Sequence, residues 1–65
     1  MEFSKDELRE AGRQISSTLH KLREVVRTLE ARENAERCRA QITLAKRRIR
    51  AFEIAMSLLE RELDR

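Results

Sequence analysis

The 65-residue chain has 15 Lys and Arg against 12 Asp and Glu, a formal net charge of +3; it is 40% hydrophobic and 42% charged, with no proline and one glycine. So short a chain forms at most one domain and rarely buries enough apolar surface alone to offset its lost conformational entropy, which favours self-association. Phe3 and Phe52 are the only aromatic residues, too few for a large globular core or for a platform on which single-stranded nucleic acid stacks.

The lone Cys38 excludes an intramolecular disulfide, and with the single His20 it cannot complete a tetrahedral zinc site, so no metal or cofactor is expected. No apolar run is long enough to cross a bilayer, and the start, with Glu2 and Asp6, lacks the layout of a signal peptide. The expectation is a cytoplasmic protein without a membrane segment.

The first element begins with a capping box: Ser4 is placed to cap the backbone, Glu7 to reach back to it, and Phe3 to staple against Leu8. From about residue 5 to 31, Leu8, Gly12, Ile15, Leu19, Leu22, Val26 and Leu29 recur at alternating steps of four and three, the seam of a supercoiled helix. A second seam through Ala35, Cys38, Ile42, Ala45, Ile49, Phe52, Met56, Leu59 and Leu63 predicts another helix over about 35–63.

Between Leu29 and Ala35 the step is six, and Glu30-Ala31-Arg32-Glu33-Asn34 holds no apolar side chain larger than alanine. The phase break predicts a turn over about 31–35, with Asn34 either left-handed at the end of the first helix or capping the second. The alternative is one unbroken helix in a parallel coiled coil. Reversal near Arg32 faces residues whose numbers total 64, pairing Leu19 with Ala45, Val26 with Cys38 and Gly12 with Phe52, so that large meets small. The expected fold is therefore all-α, an antiparallel two-helix hairpin spanning 1–65 that dimerises into a four-helix bundle.

The second helix carries more apolar surface than one neighbour covers. Leu44, Ala51, Ile54, Ala55 and Leu58 lie beside its seam, and Ala11, Thr18 and Val25 flank the first, so Val25, Leu44, Ala51, Ile54, Ala55 and Leu58 are the expected oligomer interface. Charge is also segregated. Residues 1–12 and 51–65 together are net −4 and residues 13–50 net +7, which favours stacking two hairpins with opposite ends together.

Arg37, Arg39, Lys46, Arg47, Arg48 and Arg50 form the candidate nucleic-acid surface, since clustered basic groups neutralise phosphates. Ile49 interrupts them on the seam, and Glu24, Glu30, Glu33 and Glu36 dilute their field, so a solvated bundle rim is the competing reading. Cys38 reads as a buried packing residue, and His20, off the seam, as solvated. With no carboxylate, hydroxyl or lysine set beside His20 and no phosphate loop or triad, no catalytic residues are expected. The partners expected are another copy of the chain or another helical protein, with RNA or DNA as the alternative and no membrane.

Around the turn, Leu29, Ala31, Glu33, Ala35 and Cys38, together with Leu22 and Ala45, resemble the Rop (repressor of primer) family of helical hairpins, without gaps over most of the chain. The resemblance implies a hairpin that dimerises into a four-helix bundle and binds paired RNA loops through a polar and aromatic face of its first helix. The matching positions here hold Glu10, Gln14, Thr18 and Val25, without the aromatic and basic residues, so it extends to the fold and not to the RNA activity.

Overall fold

A computed structural model describes residues 2–65, and among them there are two long α-helices and no strand. The first, α1 (Lys5–Glu30), starts where the capping box places it. The Glu7 backbone N–H donates to Ser4 Oγ at 3.1 Å, and the Ser4 N–H donates to Glu7 Oε1 at 3.1 Å. Two of the backbone donors orphaned at a helix start are thereby satisfied, while Asp6 and Glu7 complement the positive end of the helix dipole.

The chain leaves α1 through Ala31, reverses, and makes a 3₁₀ turn (Ala35–Cys38) before α2 (Arg39–Leu63). The second α-helix thus begins four residues after Ala35, because the tighter turn comes first. Asn34 is neither left-handed nor a side-chain cap. Its φ is −101° and its ψ 36°; its carbonyl, not its amide side chain, accepts the Arg37 N–H at 2.9 Å. The reversal is instead assembled from main-chain bonds, Arg32 N–H to the Leu29 carbonyl and Ala35 N–H to the Arg32 carbonyl. Among the described residues no backbone has positive φ, which explains why no glycine marks the turn.

The helices pack antiparallel along their seams in a molecule 46 × 17 × 15 Å. Leu19, Val26, Leu29, Cys38 and Ala45 are buried between them, all five seam residues. At the open end, Lys5 Nζ donates to the carbonyls of Leu63 at 3.1 Å and Arg65 at 2.9 Å, fastening the start of α1 to the last turn of α2. No helix is long and apolar enough to cross a membrane among the described residues.

The register differs from the one expected. Two ion pairs join the helices along their length, Arg23 to Glu53 at 3.0 Å and Lys46 to Glu30 at 3.0 Å. These pairs total 76, and the Lys5 contacts total 68 and 70. A total of 64 would separate Glu30 from Lys46 by twelve residues along the axis, about 18 Å at 1.5 Å per residue, beyond the reach of both side chains. Within the observed interval, 71 is the one total that keeps every seam residue of α1 opposite one of the second seam, with Ala35 and Cys38 left to the turn. Val26 then faces Ala45, Leu29 faces Ile42, Leu19 faces Phe52 and Leu22 faces Ile49.

Gly12 loses the role expected for it. A methyl group built on Gly12 meets nothing within 4 Å, so the glycine does not make room for Phe52. Gly12→Ala should therefore stabilise the protein by about 1 kcal/mol, the helix-propensity difference. Denaturant unfolding of the two proteins side by side checks this, and a less stable variant would bring back the close packing of Gly12 on Phe52.

Candidate interaction faces of the hairpin

Antiparallel packing gives the hairpin two unlike sides. The residues that directly follow alternate seam positions, Arg23 and Glu30 on α1 with Lys46 and Glu53 on α2, fall on one side, where the cross-helix ion pairs form. Arg50 adds a 3.7 Å contact to Glu53 there. Apart from the half-buried Glu53 these groups are well exposed, so each pair contributes about 0–1 kcal/mol and is screened by salt. Their larger effect is to fill this side with charge.

The opposite side carries Ala11, Thr18 and Val25 from α1, facing Ala55 and the line Leu44, Ala51 and Leu58 of α2, with Ile54 behind them. Val25 and Leu44 are each 47% exposed, Ile54 48% and Leu58 54%; Ala51 is exposed and Ala55 half-buried. A stripe of aliphatic groups at seven-residue spacing therefore keeps about half of its surface in water. The hairpin itself does not use it.

The six basic candidates are not brought together as one patch. Arg39, Lys46 and Arg50 belong to the charged side and each has a carboxylate partner, Glu36 at 3.0 Å, Glu30 at 3.0 Å and Glu53 at 3.7 Å. Arg37 and Arg48 fall on the side of the aliphatic stripe and Arg47 on the back of α2; among the described residues none of the three has a carboxylate within 4.0 Å. The sequence showed a cluster because these residues are adjacent in the chain, whereas neighbours in a helix point about 100° apart.

Elsewhere the polar chemistry is local. Glu10 accepts from Gln14 Nε2 at 2.8 Å and from Arg13 at 2.6 and 3.0 Å, and its carboxyl lies below the usual range, chiefly through the Gln14 hydrogen bond, then through Arg13. Glu10 and Gln14 are thus bonded to each other. His20 is exposed, Cys38 is buried with a free thiol, and among the described residues no three His, Cys, Asp or Glu converge on a metal-sized space. An open groove at the free end, lined by Phe3, Lys5, Leu8, Glu62 and Arg65, sets the expected Phe3 staple near Leu8, though Phe3 stays 57% exposed.

No protein-family model, curated protein or solved structure matches this chain.

Because the folded state holds Glu10 more acidic than the unfolded chain does, its contribution to stability is present above the unfolded carboxylate pKa and fades as pH falls through the lower folded value. Gln14→Ala should raise the Glu10 pKa towards its ordinary value while the helix persists. Carboxyl-carbon NMR titration reads this directly; an unmoved midpoint would assign the shift to Arg13 alone.

Proposed function

We propose that this protein is a non-enzymatic, self-associating helical hairpin that acts by protein contact as a small adaptor, regulatory or structural module of the cytoplasm. Two copies make a four-helix bundle. The observation that carries this reading is the aliphatic stripe, whose large members Val25, Leu44, Ile54 and Leu58 stay about half exposed on one side of the hairpin. Aliphatic surface repeated at seven-residue spacing along one side favours association, unlike scattered single aliphatics.

The core of the single hairpin supports the same reading. Among the described residues no side chain is fully buried, and Ile15, Leu22, Ile49, Phe52, Met56 and Leu59 are incompletely buried although they lie on the seam. A chain of this length gains the missing burial from a second copy or from another helical protein. The Rop-like residues at the turn fit such an assembly and bring no RNA chemistry with them.

A second reading, contact with RNA or DNA, draws on Arg37, Arg47 and Arg48, which have no carboxylate partner among the described residues, and on the other three basic residues if their ion pairs open. Such binding weakens steeply with added salt. A protein module shows no such association at physiological salt.

Leu44→Glu combined with Leu58→Glu should convert the assembly to monomers while leaving much of the helix intact. Light-scattering mass on a sizing column, with far-ultraviolet circular dichroism on the same samples, makes the test. A doubly charged variant that keeps the mass of the parent would remove the stripe from the interface.

A further inference from the structure

We infer that the hairpin docks on an anionic bilayer surface through the outward face of α2, with Leu44, Ile54 and Leu58 in the headgroup region and Arg47, Arg48 and Arg61 on lipid phosphates. The inference goes beyond the function proposed above and does not rest on self-association, although both use Leu44 and Leu58. Among the described residues no helix can cross a membrane, but a helix that lies in the interface needs only an apolar face accompanied by basic groups. This replaces the expectation that a membrane is not a partner.

Helix periodicity builds the face. Residues seven apart fall in one line, so Arg47, Ile54 and Arg61 share a line, Leu44, Ala51 and Leu58 the next, and Arg48 and Ala55 the one beyond, on the side of Val25. The three lines span about 100° of α2, turned away from the seam that meets α1. Leu44 is 47% exposed, Ile54 48% and Leu58 54%. Among the described residues Arg47, Arg48 and Arg61 have no carboxylate within 4.0 Å. Of the acidic residues of α2, Glu53 and Glu60 belong to the charged side; Glu62 alone shares the outward face, and Arg65 holds it at 3.6 Å.

Aliphatic and guanidinium groups mixed in one face narrow what can cover it. A nucleic acid would take the arginines and leave the three aliphatics in water. A helix seated beside Val25 and Ala55, from another protein or a second copy, reaches Leu44, Leu58 and Arg48 but not Arg47 and Arg61 on the back of α2. An anionic bilayer meets the whole convex face at once. The boundary between headgroups and acyl chains accepts the aliphatics, while the guanidinium groups, on long apolar stems, reach phosphates with paired hydrogen bonds. The first helix stands further from that plane, and its line nearest the lipid, Ala11, Thr18 and Val25, is uncharged. Lipid and a second copy therefore compete for Leu44 and Leu58.

The test uses the full-length chain and vesicles of equal parts phosphatidylcholine and phosphatidylserine, compared with pure phosphatidylcholine vesicles and with duplex RNA at matched phosphate. The expected result is co-sedimentation with the anionic vesicles that weakens with added salt and is absent with the neutral ones. Arg47→Gln with Arg61→Gln should lower partitioning about 25-fold, roughly five-fold for each positive charge removed. Arg13→Gln with Lys21→Gln, an equal change of charge on the exposed surface of α1, should leave it nearly unchanged, with parental circular dichroism in both variants. The chain has no tryptophan, so Ile54→Trp reports insertion by a blue shift of its fluorescence on anionic vesicles, and Ser17→Trp on the outer face of α1 should show none.

A parent that leaves the anionic vesicles unbound would overturn the inference, and retention of the duplex RNA would then give the arginines to nucleic acid. Equal losses from the two glutamine pairs would reduce the binding to net charge and overturn the assignment to this face. Light-scattering mass of the parent without lipid tests self-association separately: a dimer that ignores vesicles sinks this inference alone, and a monomer that binds them sinks only the dimer.

Discussion

Leu19, Val26, Leu29, Cys38 and Ala45 are what the two helices bury between them, and all lie on the strips traced by the four-and-three spacing of the apolar residues. Neither helix has another hydrophobic reason to stay against its neighbour, so this shared seam sets the rest of the molecule. It determines which residues fall on each flank. Antiparallel packing then puts Arg23, Glu30, Lys46 and Glu53 on one side and the aliphatic stripe on the other.

The burial is uneven along the seam. All five buried residues lie from Leu19 to the turn and back to Ala45, interspersed with the incompletely buried Leu22, Ala35 and Ile42, whereas towards the free end Leu8, Ile15, Phe52, Met56, Leu59 and Leu63 are all incompletely buried. At that end the Lys5 clasp on the carbonyls of Leu63 and Arg65 adds to the partial apolar packing. A hairpin built this way has its firmest part at the closed end. The outer aliphatic line, which reaches Leu58, runs beside the part that most lacks a core, where added burial stabilises most.

The charges follow the same division of labour. Those on the ion-paired side are matched within the hairpin, and those beside the stripe are matched less well. For the proposed function, the matched side is the solvated exterior and the incompletely matched side is where a partner of complementary charge gains specificity. Affinity itself would come from Leu44, Leu58 and Val25, since exposed ion pairs contribute little.

Helix content, the capped start at Ser4, the turn after Leu29 and the burial of Cys38 were legible from spacing and capping chemistry alone, because each depends on residues close in the chain. The stripe was legible for the same reason, as a period of seven on one helix. The facing register was not. A heptad pattern repeats, so totals of 64 and 71 place seam residue against seam residue equally well, and the large-against-small pairing of Gly12 with Phe52 favoured the wrong one. The path of the chain through Ala31–Cys38 and the reach of Glu30 to Lys46 resolve that degeneracy. The amino-acid sequence by itself determined two amphipathic helices and the place where they part; tertiary structure alone decided which turn of one lies against which turn of the other, because a periodic seam carries no information about its own phase.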